Sequence, residues 1–287
     1  MDKDGTRDNC TEKRKWVFDS QAEKARRTKI AISLFAAVMC ILLLIICVYL
    51  IIPSIISDAS DRLDRSFANK IFESTLESPR PANSARPAFV QPGASLDSPA
   101  RPRECFYTAL SENPDTVGRI IIEDIGIAYL VVQAQDNERY LNKGYAGSES
   151  KSGAVFLDYR CDAGAQPLKR HYILYGHNMK NGTMFHNLME YKERDTFYAN
   201  RFIRFDTLYE DHTWEIFSAY ITSTDFYYIE TAFENDEEWK IFLGKIKGKS
   251  MYDTDTVLSS RDVVLTLSTC TYEFEGARFV VHAKLIR

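Results

Sequence analysis

The sequence predicts a mainly β domain: an eight-stranded, closed or nearly closed barrel with peripheral helices. A single N-terminal transmembrane helix and a proline-rich stalk precede it. Three observations carry this reading. Eight short β-branched and aromatic runs, separated by turn residues, follow Arg103; an uncharged run of 23 residues spans Ile30 to Ile52; and residues 78–104 hold six of the nine prolines.

Taken in chain order, residues 1–29 read as a charged, irregular cytoplasmic tail. The run "IAISLFAAVMCILLLIICVYLII" covers residues 30–52. At 1.5 Å per residue it spans roughly 35 Å, enough to cross a bilayer with some tilt. Lys24, Arg26, Arg27 and Lys29 precede it and Asp58 and Asp61 follow. The positive flank places the N-terminus in the cytoplasm and residues 53–287 outside. A cleaved signal peptide would have a shorter apolar region and a small-residue cleavage site, whereas this run ends "YLIIPSII".

Residues 53–103 read as an extracellular helix and a linker. Leu63, Phe67 and Ile71 recur every fourth residue, flanked by Ala68, Phe72 and Thr75, which predicts a helix over 58–76. The following "SPRPANSARPAFVQPGASLDSPARPRE" is a semi-extended spacer.

Residues 104–287 form the globular head. A short helix around Cys105 to Ser111 precedes strand runs at 118–123, 127–133, 153–158, 171–176, 201–207, 213–221, 262–269 and 278–286. The exception is "NDEEWKIFLGKIK" (235–247). Trp239, Phe242, Leu243 and Ile246 follow helical spacing there, Asn235 or Asp236 can cap, and acidic residues fill the first turn.

The bulk numbers narrow the function. The chain of 287 residues carries 16 Tyr, 17 Phe and 3 Trp, enough for a sizeable core, and a formal net charge of −4, which argues against a nucleic-acid binder held by phosphate contacts. No glycine-rich phosphate loop, zinc-ligand spacing or internal repeat occurs. Cys105, Cys161 and Cys270 lie on the outer side of the span; three is odd, so at least one is unpaired within the chain.

Cys270 is the candidate nucleophile. It ends the run "VVLTLSTC", shares a face with Ser268, Thr266 and Val264 by alternation, and precedes the polar "TYE". Free cysteines are commonly buried and inert; one at a strand end is displayed on a rigid scaffold. A thiol there needs a partner to reach the thiolate state. Of the five histidines, His171 and His282 sit inside strand runs, His186 in a short helix and His212 in a surface turn. His177 directly follows a strand in "HYILYGHNMKNGTMF", placed as Cys270 is; the residues alone leave the choice among the five open. Arg278 opens the last strand and is either a solvated charge or a fixed donor beside the thiol.

"TLSTC", a downstream "ARFVVHAK" and an upstream "YGHN" together resemble the sortases, the cysteine transpeptidases of Gram-positive cell surfaces. "YGHNMKNGTMF", "DTVGRIIIEDIGIAYLVVQAQDNERYL", "GAVFLD" and the helix-bearing insertion before the cysteine strand resemble class B, over about Cys105 to Arg287. The resemblance implies a sortase barrel with His177, Cys270 and Arg278 as the catalytic trio. By local match it also implies substrate-groove residues Asn137 and Leu141 in "DNERYL", Thr224, Tyr228 and Ile229 in "TSTDFYYIE", and Ser268.

The implied reaction cleaves an NPxTx-like C-terminal sorting motif after Thr through a thioacyl-Cys intermediate. The surface protein then passes to a peptidoglycan amine, with no metal or organic cofactor. Two features depart from the pattern: Thr271 stands where an acidic residue is expected, and the proline-rich spacer is longer than class B suggests. The remaining alternatives are a pilus-assembling sortase with a pilin lysine as acceptor, another cell-wall cysteine peptidase or transpeptidase, and a non-enzymatic stalked adhesin. The first would carry a lid and a second, C-terminal anchor, and the chain stops at Arg287. An L,D-transpeptidase would show a SxGC motif, a papain-like enzyme would place Cys before His, and the adhesin needs no thiol at a strand end.

Overall fold

The computed structural model describes residues 5–77, 101–165 and 167–286. The proline-rich spacer falls almost wholly outside them. Helix α1 spans Gly5–Glu77, so the backbone is helical from Gly5, where an irregular tail was expected. The chain divides into two compact units, Met1–Ile56 and Ser57–Arg287. In the first, every side chain from Ile30 to Ile52 is exposed. This is the one helix among the described residues long and apolar enough to cross a membrane.

The second unit is built on a closed barrel in the order β1-β2-β3-β4-β7-β8-β6-β5. The strands are β1 (Thr116–Ile122), β2 (Ile127–Val132), β3 (Val155–Leu157), β4 (His171–Tyr175), β5 (Phe202–Thr207), β6 (Thr213–Thr222), β7 (Val264–Cys270) and β8 (Arg278–Leu285). All eight fall where the sequence places them, within about two residues at each end. Two pairings are parallel, β2 with β3 and β4 with β7; the rest are antiparallel. Closure removes every sheet edge, which protects short strands from edge pairing.

Three apolar cores follow from the strand alternation. The barrel interior takes Ile120, Val131, Leu174, Leu265, Leu267, Phe279 and Val281. On the outer face of β6, β7 and β8 lies helix α4 (Asp236–Gly248), which buries Trp239, Phe242, Leu243 and Ile246 against Phe217, Val264 and Val280. Asn235 caps it, accepting the N–H groups of Glu237 and Glu238. Short helix α2 (Tyr107–Glu112) belongs to a third core, on the outside of β1 and β2. A further short helix, α3 (Arg194–Ala199), follows a 3₁₀ stretch at Phe185–Lys192.

The last turns of α1 belong to this unit, and their buried face differs from the expected apolar stripe. Ile71, Phe72 and Thr75 are buried as anticipated, but Leu63 is 72% exposed, and the buried positions two to three turns earlier are Asp61 and Asp64. Asp64 accepts the N–H groups of Tyr145 and Ala146 and the Ser148 hydroxyl; Asp61 accepts the Lys151 N–H and the Ser152 hydroxyl. The helix therefore docks by capping the 142–152 loop as well as by burying hydrocarbon. At its end, buried Arg119 of β1 donates to the Thr75 carbonyl and pairs with Asp206, which has no exposed surface.

Replacing Asp64 by Ala removes the acceptor of three donors, one of them the buried Tyr145 N–H. Hydrogen bonds to charged groups contribute roughly 1.5–3 kcal/mol each. Asp64→Ala in the full chain is therefore expected to lower the thermal midpoint by about 5–10 °C, read by circular dichroism in detergent. Leu63→Ala should leave it unchanged.

Candidate active site

The register of two strand pairs builds the site. In the parallel β4–β7 ladder His171 lies opposite Val264, and each later pair keeps step to Tyr175 and Ser268. Two residues beyond the last pair stand His177, just past the end of β4, and Cys270, the last residue of β7. The ladder continues past the formal end of β4, for the Gly176 N–H donates to the Ser268 carbonyl (3.3 Å) and the Asn178 side chain donates to the Cys270 carbonyl (2.9 Å). Across the antiparallel pair, Cys270 lies opposite Arg278, and Arg278 lies opposite Thr222 of β6. Histidine just past the end of β4, cysteine at the end of β7 and arginine at the start of β8 thus form one row at the same rim. Ser268, Thr266 and Val264 continue the Cys270 face as alternation predicts. It is the outer face of the barrel, since Val264 packs in the α4 core while Leu265 and Leu267 fill the interior.

This row heads a cleft of about 340 Å³. All nine residues singled out in the sequence line it: His177, Cys270, Arg278, Asn137, Leu141, Thr224, Tyr228, Ile229 and Ser268. Phe156, Tyr175, Phe226 and Tyr227, which the sequence reading passed over, line it too.

Local contacts set each of the three. The His177 ring bonds through Nε2 to the Leu141 carbonyl (2.8 Å). A carbonyl only accepts, so Nε2 carries a proton, and Nδ1 is the ring nitrogen left for proton exchange. Two glycines let the ring sit there. A Cβ at Gly176 would meet the Phe185 ring at 2.8 Å. Gly153 has φ +59, and its Cβ would lie 2.4 Å from the Tyr140 carbonyl oxygen and 3.2 Å from His177 Cδ2. The half-buried Arg278 turns its Nη1 to the carbonyls of Gly276 and Ala277 (3.2 and 3.1 Å), which leaves other guanidinium donors for a ligand. Thr271 is buried; it accepts from Lys192 and donates to Glu273, and Lys192 pairs with Glu273. The nearest acidic side chain, Glu273, thus binds Thr271 and Lys192.

The remaining histidines take other roles. His186 donates through Nδ1 to the Asn178 side-chain oxygen (2.7 Å), bracing the contact that Asn178 makes with Cys270. His212, read as part of a surface turn, is buried because its ring packs edge-on to Trp214. His171 and His282 are fully packed beneath the cleft in a directional chain. The Glu230 carbonyl can only accept, so His171 donates to it from Nδ1 and accepts at Nε2 from the Thr266 hydroxyl. That hydroxyl accepts from His282 Nδ1, and His282 Nε2 accepts from the Tyr220 phenol. Every link is 2.6–2.7 Å and every ring is neutral. The Tyr228 phenol shares a 2.7 Å bond with the Ser268 hydroxyl. Burial pushes the pKa of Cys161 up to about 12, marking it as a packed thiol. Among the described residues, no group of three or more His, Cys, Asp or Glu is placed to hold a metal ion.

Comparison with known proteins places this geometry. Residues 120–286 match the sortase domain family. Sortase B of Listeria monocytogenes is 34% identical over 204 residues, which cover 70% of this chain and 82% of that protein. Sortase B of Staphylococcus aureus is 35% identical over 187 residues, covering 64% and 76%. Among solved structures, a Bacillus anthracis protein described as similar to sortase B superposes with a TM-score of 0.67. It is 39% identical, covering 78% of this chain and 96% of that one. The Staphylococcus aureus sortase B–substrate complex gives a TM-score of 0.66 at 29% identity, covering 80% and 99%.

The buried histidines make stability depend on acid. Burial lowers the His171 pKa from 6.5 to about 4, and burial moves His282 well below 6.5. Both folded values lie below the unfolded one, so the unfolded chain takes up protons first. Stability is full above pH 6.5 and is lost as pH falls toward 4, by roughly 3 kcal/mol for His171 alone. Denaturant unfolding of the full chain at pH 7.5, 5.5 and 4.5 should show that loss; a flat profile would contradict the neutral chain.

Proposed function

The chain belongs to the sortase family, in its class B branch, and is a cysteine transpeptidase; from that premise we propose that it is a membrane-anchored enzyme that fixes surface proteins to the cell wall. One observation carries the reading. The row His177, Cys270 and Arg278 heads a single cleft that also holds Asn137, Leu141, Thr224, Tyr228, Ile229 and Ser268.

The substrate is the C-terminal sorting signal of a surface protein, an NPxTx-like pentapeptide lying extended in the cleft. The Cys270 thiol gives its proton to His177 Nδ1, and the resulting thiolate attacks the Thr carbonyl carbon to form a C–S bond. The carbonyl oxygen takes the electron pair and is stabilised by Arg278 donors and backbone N–H groups. Collapse of this intermediate expels the amine of the next residue, which takes a proton from His177 Nδ1, the ring nitrogen that the Leu141 carbonyl leaves free. A peptidoglycan amine then enters, gives its proton to His177 and displaces the thiolate, joining the surface protein to the wall. These steps draw on side chains and backbone alone.

The long apolar helix supports a single-pass anchor. Lys24, Arg26, Arg27 and Lys29 favour a cytoplasmic N-terminus and an extracellular catalytic domain. Holding the enzyme at the outer leaflet raises its effective concentration toward a membrane-held substrate and a lipid-linked wall precursor.

Full-length enzyme in detergent should cleave members of an NPxTx-type peptide library after Thr and transfer the acyl part to an added amine. Cys270→Ala should abolish both activities while the barrel still folds. His177→Ala and Arg278→Ala should each lower kcat at least about 100-fold, and His212→Ala should not. Full activity in Cys270→Ala would overturn the assignment. Separately, a methanethiosulfonate reagent should inactivate the enzyme by labelling Cys270, with Cys161 unlabelled in peptide maps.

A further inference from the structure

Asp158 sits just after β3 with no exposed surface, and every oxygen lone pair it turns inward is used. Its Oδ1 accepts from Arg160 Nε (2.9 Å) and from the Arg160 N–H (3.0 Å). Its Oδ2 accepts from Arg160 Nη2 (2.8 Å), Tyr175 OH (2.9 Å) and Asn137 Nδ2 (3.0 Å). Arg160 then reaches onward: Nη2 donates to the Ile229 carbonyl (2.9 Å) and Nη1 to the Tyr227 hydroxyl (3.1 Å). Neither Asp158 nor Arg160 lines the cleft. The four groups they hold, Asn137, Tyr175, Tyr227 and Ile229, all do.

Two consequences follow from these bonds. The Asn137 wall and the 227–229 wall lie far apart in sequence, and the one carboxylate with its bidentate guanidinium joins them by a short polar path. The Asn137 amide is also fixed in orientation. Its Oδ1 accepts the Tyr159 N–H (3.0 Å) while Nδ2 spends one hydrogen on Asp158, so one N–H stays free on a side chain that lines the cleft.

We propose that the Asp158–Arg160 pair is a positioning device for the acyl-donor peptide: a clasp that sets the spacing of the two cleft walls and aims the free Asn137 N–H at a backbone carbonyl of an extended peptide. The inference rests on the reading of this cleft as the peptide site. It assigns to two residues outside the cleft a part in substrate affinity, distinct from the bond-making work of the Cys270 row. Burial alone would raise the Asp158 pKa; the Arg160 bonds and those of Tyr175 and Asn137 outweigh it and hold the carboxyl below its usual range, so the clasp stays charged at neutral pH.

The test uses the full chain in detergent with Arg160→Ala, Arg160→Lys, Asp158→Asn and the double variant Asp158→Asn/Arg160→Ala. Loss of a charge-assisted bond in a binding wall predicts a rise in KM of about tenfold or more for Arg160→Ala, with kcat within about threefold of wild type. Arg160→Lys keeps the charge but loses the fork and should fall between. The double variant should cost little more than either single change, because both break one unit. Amide exchange at residues 226–230 should quicken in Arg160→Ala, and the rate of Cys270 alkylation by a small reagent should stay at the wild-type value.

An unchanged KM, or a fall in kcat at unchanged KM, overturns the clasp, as does a lowered melting temperature with KM and exchange at 226–230 both unaltered. Failure of the wild-type enzyme to turn over any peptide would instead overturn the functional reading, and the exchange experiment would still report on the clasp.

Discussion

The molecule turns on the parallel pairing of β4 with β7. Antiparallel neighbours can join through a tight turn, as β7 and β8 do, so residues at one end of such a pair come from nearby sequence. A parallel pair brings together segments that travel the same way and end at the same rim. Here that ladder keeps His171 opposite Val264 and Tyr175 opposite Ser268, which is why a histidine and a cysteine 93 positions apart arrive at the same cleft. A slip of one residue would turn the thiol to the barrel interior while the imidazole stayed outside. Bonds on both sides of the rim lock the register: Gly176 to Ser268, Asn178 to Cys270, and His186 behind Asn178. Arg278 needs no such device, because it lies across the next ladder from Cys270 within one hairpin.

Around this row the cleft is framed by polar contacts set into apolar packing. The segment 227–230 has no strand or helix of its own. It is held at four points, by Arg160 at Tyr227 and Ile229, Ser268 at Tyr228 and His171 at Glu230. The opposite rim is held by Asp158 at Asn137 and by the Asp61 and Asp64 carboxylates, which fix the loop running from Leu141 to Gly153. That loop carries the carbonyl that sets the His177 tautomer. Hydrocarbon packing gives the site its bulk, and these directional bonds give it a defined shape.

The sequence showed the fold well because each strand run is short, β-branched and bounded by turn residues, and because α4 has a four-residue apolar face and a capping Asn235. The nine site residues were legible chiefly through motif likeness. Physical reasoning alone placed Cys270 and Arg278 at strand ends but could not choose among five histidines, since strand pairing between distant segments leaves no local trace. Leu63 misled because apolar spacing was taken as the docking face, whereas the helix docks through Asp61 and Asp64, whose partners are backbone N–H groups of a loop about 80 residues away. Asp158 and Arg160 were hidden for the same reason. "LDYR" reads as a strand end running into a turn, and only the fold shows how many chains of contact meet there.

The buried line from Tyr220 through His282, Thr266 and His171 to the Glu230 carbonyl runs in one direction only, because its last member cannot donate. That polarity limits how this sequence can drift. At position 266 a side chain must accept from one ring and donate to the other at the same time, which serine satisfies and valine, of nearly the same shape as threonine, does not. Position 220 lies at the donor end, where phenylalanine would leave a single lone pair bare and the rest of the line intact. Relatives that keep the barrel should therefore vary at the two ends of this line before they vary at its centre, and a change at the centre should be accompanied by changes at both histidines.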